Sequence, residues 1–365
     1  MSLPKVNPES IGLDPLRLAV ADSVVAAGVE KGAYPAAVLL VARHGKIGHL
    51  KAFGTLPGGA PVQTDTIFDL ASLTKPHVAT GLLTLLEDGK LVIGNSVSDF
   101  FPESAKTPVG DLTLRQLLTH SSGLPAWTAL YNVKGDRNAK VAAILGQKLA
   151  NPAGTHYTYS DLGYILVGEI VSTVSGMPLD QYLHARLFAP LEMHDTGYLP
   201  PAAERDRIAP TSNEQSRPGE TMRGVVHDGN CHSMGGVTGH AGLFGTASDL
   251  AILSSALIGN GTIKGHRVVG MPTTELVANS QIGAEVGGHT FGWFAPPNGM
   301  LPRGDIFDDT TFGHTGFTGT MIVNNRSTQT TTILLTNRVM NPSENGEISR
   351  VRRRTLNAVA SAIVK

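Results

Sequence analysis

Three short groups of residues carry side chains able to do chemistry together. The first is Ser72-Leu-Thr-Lys75. Spaced three apart at a helix start, the hydroxyl and the amine leave from one face of the first turn. The positive end of the helix dipole favours negative charge developing on Ser72 Oγ, and unpaired backbone N–H groups lie close by. A lysine amine in a pocket that disfavours its charge can lose its proton and act as base for the serine. The second group is Tyr159-Ser160-Asp161, in a turn that feeds a helix. A tyrosine beside a lysine is expected to have its phenol pKa lowered and to shuttle a proton between nucleophile and leaving group. The third is His314-Thr315-Gly316, followed by Phe317, just before an edge-like strand. Glycine there lets backbone approach a substrate, and the N–H of Phe317 with that of Ser72 would make an oxyanion hole. Taken alone, Ser72 also reads as an ordinary N-cap and Lys75 as a solvated first-turn residue.

Periodicity supplies the elements that must position these groups. Leu73, Val78, Leu82, Leu85 and Leu86 recur with helical spacing up to Gly89, and Pro76 falls in the first turn, where its missing N–H costs nothing. Asp14-Pro15 reads as an N-cap with proline at the first helical position, with Leu16, Val20, Val24 and Ala27 on the apolar face and a stop at Gly32. Ala37–Ala42 and Ile47–Phe53, joined at His44-Gly45, predict a β-hairpin. Helices are predicted at 112–120 (capped by Asp111 or Thr113), 137–150, 161–176 and 179–187, and one capped at Ser248-Asp249 reaches Ile258. Residues 199–242 read as loop. Thr290–Ala295 reads as a strand, Thr320–Asn324 with Thr330–Thr336 as a hairpin rich in β-branched residues, and 344–363 as the final helix. That helix presents Ile348, Val351, Leu356, Val359 and Ile363 on one face, with Arg350, Arg353 and Arg354 mostly opposite as a wet face.

The expected class is α+β, an antiparallel sheet flanked by terminal helices with an inserted, mainly helical lobe. Residues 1–67 and 280–365 build the first lobe and 68–279 the second. At 365 residues the chain can bury a large core, and 41% hydrophobic with 16% charged residues is ordinary globular composition. Its net charge of −1 recommends neither nucleic acid nor an anionic membrane as partner. The single cysteine, Cys231, rules out an intramolecular disulfide. No basic segment followed by an apolar one marks a signal peptide, and the longest apolar run, 36–42, is far too short to span a bilayer. The compartment stays open between cytoplasm and periplasm, and the oligomeric state is unread.

In order and spacing, Ser72-Leu-Thr-Lys75, Tyr159-Ser160-Asp161 and His314-Thr315-Gly316 resemble the three motifs of the serine β-lactamase and penicillin-binding-protein superfamily. The likeness is closest to its class C branch, which also holds esterases and D-aminopeptidases. The intervals of 87 and 242 residues after Ser72 fit that branch. Flanking text agrees at Leu112–Pro125, Gly239–Gly245 and Asp249–Ala251. The resemblance implies an acyl-enzyme on Ser72, proton transfer by Lys75 and Tyr159, substrate binding by Asp161, His314, Thr315 and Gly316, and no cofactor. Two positions depart from the pattern. Asp161 stands where asparagine is usual, which would favour a charged Lys75 and shift the base role toward Tyr159. His314 stands where β-lactamases usually have lysine, and a partly charged histidine grips a substrate carboxylate less firmly. Both departures lean toward hydrolysis of esters or D-amino-acid peptides, with slow β-lactam turnover; the alternative the resemblance implies is a class C-type β-lactamase or a penicillin-binding D-Ala-D-Ala carboxypeptidase.

His227, Asp228, Cys231, His232 and His240 cluster in sequence as candidate metal ligands, but no H-E-x-x-H or H-x-H-x-D pattern is present, and the expectation is no metal. No G-x-S-x-G elbow supports an α/β-hydrolase, and no Walker A or G-x-G-x-x-G supports nucleotide binding. The reading from another class is an idle relative kept as a peptidoglycan-binding or assembly module. The intact set Ser72, Lys75 and Tyr159 argues against it. Partners are then a small-molecule or peptide substrate, recognised by loops around 125–137, 205–235 and 281–310.

Overall fold

The computed structural model describes residues 2–213, 216–341 and 346–364. Asp14 caps helix α1 (Pro15–Glu30), accepting from the N–H groups of Leu16 and Arg17. Strands β1 (Ala36–Arg43) and β2 (Lys46–Gly54) follow. Their turn has positive φ at both His44 and Gly45, the twist that suits a two-residue hairpin. Helix α2 (Thr74–Glu87) comes next, then α3 (Asp161–Ser175) and α4 (Ala247–Ile258). The chain closes with β3 (Thr311–Thr315), β4 (Met321–Asn325), β5 (Thr330–Thr336) and α5 (Gly346–Ser361).

The strands form one antiparallel sheet in the order β3-β4-β5-β1-β2, so the two ends of the chain meet where β5 pairs with β1. β1 is buried on both faces, which explains its continuous apolar run. Ala36, Val38 and Leu40 join Ile333 and Leu335 in the large core shared with α2, α3 and α4, while Ala37, Leu39 and Val41 join Leu334 beneath α1 and α5. The sheet is thus a septum between two cores. Among the described residues no single helix is long and apolar enough to cross a membrane.

Most predicted elements are found, with instructive differences. Helix α1 buries Leu18, Ala21, Val25 and Gly28, whereas Leu16 and Val20 face solvent. The side is chosen by Tyr34, whose hydroxyl donates to Val25 O at 2.9 Å and lies where a Cβ on Gly28 would sit. Thr113, not Asp111, caps the helix Leu114–Leu118, and Thr246 rather than Ser248 caps α4. Residues 290–295 are no strand: Gly292 has φ +100°, and only Phe294 bridges to Gly313. The third motif does not precede an edge strand but ends one, since His314 and Thr315 pair with Ile322 and Met321. The loop at 199–242 contains the hairpin Thr211–Asn213 with Arg217–Met222 and a short helix, Gly229–Ser233. The predicted start of the last helix at 344, and positions 214 and 215 of the 205–235 loop, lie outside the described residues.

Candidate active site

Ser72 does not open the α-helix directly. It sits in a 3-10 turn, Ala71–Leu73, which hands over to α2 at Thr74. Ala71 has φ +48°, a conformation costly for a residue with a Cβ, and the surroundings hold it there. Asp69 Oδ1 accepts the Ala71 N–H at 2.8 Å, and its Oδ2 accepts the N–H of His227 at 2.6 Å. Thr318 Oγ1 donates to Asp69 O, and Thr320 Oγ1 donates to Leu70 O. Gly316 is required by this docking: a Cβ there would lie 2.6 Å from Leu70 O and 2.1 Å from Thr320 Oγ1. Its smallness therefore serves the approach of two protein segments as well as any substrate.

Lys75 is fully buried, and its Nζ donates to Ser72 Oγ at 3.0 Å, Asp161 Oδ1 at 2.7 Å and His240 O at 3.2 Å. Burial pushes the ammonium pKa below its ordinary value, although Asp161 and Asp228 pull it up. Desolvation wins, so Asp161 does not strengthen the charged form enough to reverse the shift. Nζ also lies 4.7 Å from the centre of the Tyr159 ring.

Tyr159 is brought in by the loop that ends helix Leu114–Leu118. Thr158 N donates to His120 O, Ser160 N to His120 Nδ1 and Asp161 N to Ala126 O, while Ser160 Oγ bonds Pro125 O and caps α3. Tyr159 lines the same cavity as Ser72, and its phenol pKa moves opposite to the sequence-based expectation. Burial raises it well above the ordinary value, and the negative charges of Asp161 and Asp228 raise it further. A neutral phenol therefore stands beside the serine.

The expectation for His314 is also corrected. The ring is fully buried, stacked on Phe294 at 4.2 Å, and its Nδ1–H donates to Thr315 O at 2.8 Å. Burial, with Lys75 nearby, holds its pKa well below 6.5, so it is neutral at physiological pH and offers no cation to a carboxylate. His120 and His289 continue the same buried stack, both pushed down by burial.

A cavity of about 580 Å³ opens over Ser72 and is lined by Tyr159, Asp161, Trp127, Phe317 and Arg338 among others. Lys75, His314 and Gly316 lie buried behind it, and Thr315 is half-buried on the strand. Among the described residues the N–H groups of Ser72 and Phe317 meet no acceptor. Phe317 is 61% exposed, between the ring of His227 at 5.5 Å and the guanidinium of Arg338 at 4.7 Å.

The five candidate metal ligands disperse. Cys231 is buried with its thiol on Ala241 O, His232 is exposed, and His227 stacks on Phe317. Ligand atoms of Asp161, Asp228 and His240 do lie within 4.8 Å of one another and could hold an ion. In this arrangement Lys75 engages Asp161 and His240 Nε2 engages Asp228 at 3.0 Å. Burial alone would raise the Asp228 carboxyl, but His240, the Cys231 N–H and Lys75 hold it well below the carboxylate range.

Sequence reasoning missed His120, which packs on Tyr159 at 4.4 Å, and Arg338 and Arg352, which bond the loop after His314. The repeat Thr315-Gly316-Phe317-Thr318-Gly319 was the available signal for that loop.

The family model described as Beta-lactamase matches residues 21–356. An Escherichia coli K12 protein named "Putative D-alanyl-D-alanine carboxypeptidase" is 31% identical, over 93% of this chain and 86% of that one. A Bacillus subtilis N-acetylmuramyl-L-alanine amidase is 30% identical, over 94% of this chain and 87% of that one. Among solved structures, the fold is shared with EstCE1, a hydrolase with promiscuous acyltransferase activity (TM-score 0.78, 20% identity, 94% of this chain and 99% of that one). It is shared equally with a class C β-lactamase from Rhodobacter sphaeroides (TM-score 0.76, 21% identity, 95% and 99%). The chain belongs to the β-lactamase family of serine hydrolases, with the α+β β-lactamase and transpeptidase-like fold.

Proposed function

We propose that the protein hydrolyses esters or D-amino-acid peptides through an acyl-enzyme on Ser72. The observation that carries this reading is the contact of Ser72 Oγ with Lys75 Nζ, 3.0 Å apart at the floor of an open cavity that Tyr159 also lines. Lys75, its charge disfavoured by burial, takes the proton as Oγ attacks the carbonyl carbon. The N–H groups of Ser72 and Phe317 receive the developing oxyanion. The neutral Tyr159 phenol passes a proton to the leaving oxygen or nitrogen as the tetrahedral intermediate collapses and takes one back from the Lys75 ammonium, and water, deprotonated by the restored amine, then releases the acyl group. Asp161 sets the charge and position of Lys75, while Thr315 and Gly316 form the edge along which substrate lies.

The neutral His314 supports a substrate without a carboxylate at that position, such as an ester or a D-amino-acid peptide cleaved away from its C-terminus, over a rapidly turned-over β-lactam, because the third motif supplies no cation for a carboxylate. The Escherichia coli and Bacillus subtilis relatives are named as a D-alanyl-D-alanine carboxypeptidase and an N-acetylmuramyl-L-alanine amidase, names that suit attack on an acyl carbon. A panel of p-nitrophenyl esters, D-alanyl peptides and nitrocefin tests the assignment. Esters or D-alanyl peptides should be turned over faster than nitrocefin, and Ser72→Ala should abolish all turnover. Nitrocefin as the best substrate would favour a class C-type β-lactamase, and no turnover of any would favour the binding-module reading.

A further inference from the structure

Arg352 is a buried cation that the proposed mechanism does not use. It projects from α5 on the face shared by Ile348 and Leu356, is 8% exposed, and among the described residues has no carboxylate partner; its Nε is unbonded. A buried charge without a counter-ion is costly, and an apolar side chain would suit that face better on packing grounds alone. Burial and the charge of Arg338 pull its pKa down to about 9, so it stays charged at neutral pH. Its Nη2 donates to Gly316 O at 3.0 Å and to Thr320 O at 2.9 Å, the two ends of the loop that carries Phe317. Gly316 N closes that loop by donating to Thr320 O at 2.8 Å, and Arg338 Nε donates to Phe317 O at 2.6 Å.

The carbonyl of Gly316 and the N–H of Phe317 belong to one peptide plane. In a trans peptide the two point in opposite directions and turn together. A guanidinium that fastens Gly316 O on the α5 side therefore directs the Phe317 N–H away from α5. A cation at the carbonyl end also polarises the amide and strengthens its N–H as a donor. We propose that Arg352 is a positioning residue for the oxyanion hole, fixing through Gly316 O the peptide plane whose far end is the Phe317 N–H. The proposal rests on the reading of that N–H as an oxyanion donor.

The test compares wild type, Arg352→Met and Arg352→Lys in the full chain. Measured are kcat and KM on a p-nitrophenyl ester, affinity for an arylboronic acid (which forms a tetrahedral adduct on the serine) and thermal unfolding. Loss of one oxyanion donor costs roughly a hundred- to thousand-fold in rate, so a misdirected one should cost about ten- to a hundred-fold. Arg352→Met should lose that factor in kcat with KM little changed, and boronate affinity should fall by a matching factor. Arg352→Lys should fall between the two. A folded Arg352→Met with wild-type kcat and boronate affinity, only its thermal stability reduced, would overturn the proposal and leave the serine mechanism standing. If Arg352→Met does not fold, Arg352→Lys decides by the same criterion. A wild type that neither cleaves the ester nor binds the boronate would remove the oxyanion reading, and this inference with it.

Discussion

Asp161→Asn restores the amide usual in the family's second motif and isolates what the extra charge does. Asp161 Oδ1 lies 2.7 Å from Lys75 Nζ. At an effective dielectric of about 20 the attraction at that distance is about 6 kcal/mol. The carboxylate is 20% exposed, and asparagine would keep one hydrogen bond, so roughly half, ~3 kcal/mol, is the loss to expect. Losing it lowers the Lys75 pKa, the direction in which burial already drives it. The assay is the pH profile of kcat/KM on a neutral p-nitrophenyl ester, whose acidic limb reports the base of the free enzyme. The limb should move to lower pH in Asp161→Asn. An acidic limb that stays in place, in a variant still acylated at Ser72, would refute Lys75 as the group that takes the proton.

Two further outcomes follow from titration. Because burial keeps His314 neutral, the ratio of turnover between a carboxylate-bearing and a neutral ester should stay flat as pH rises through the ordinary histidine range; a fall there would show that His314 carries charge. Asp249, whose Oδ2 accepts the Asp195 N–H and the Thr196 hydroxyl, is raised by burial from 3.8 to about 6. The folded state thus holds the proton more tightly, and stability present below about pH 4 is lost as pH rises through about 6, on the order of 3 kcal/mol. Asp249→Asn should flatten that part of the pH dependence in urea unfolding, and an unchanged slope would contradict the assignment.

The contact of Ser72 with Lys75 was legible because their relation is local: three residues apart in one turn, they meet whatever the rest of the fold does. Tyr159 and His314 were found by motif order, yet their charge states were misjudged, because the charge state depends on burial by distant segments. His314 is neutral because Phe294, far from it in the element plan, lies flat against it. The apolar face of α1 was misassigned for a related reason: its sequence is apolar on more than one side, and the packed side is set by Tyr34 closing on Gly28. Arg352 was invisible for the opposite reason. It sits among Arg350, Arg353 and Arg354, which are exposed, and only the helix phase against the sheet separates it from them.

The central claim is that Ser72 is the nucleophile. Its most direct test is intact-protein mass after incubation with a fluorophosphonate, followed by peptide mapping, for wild type and Ser72→Ala. One covalent addition on wild type, mapped to Ser72 and missing from the variant, is the predicted result. A wild type that gains no mass, or gains it at another residue, would contradict the account.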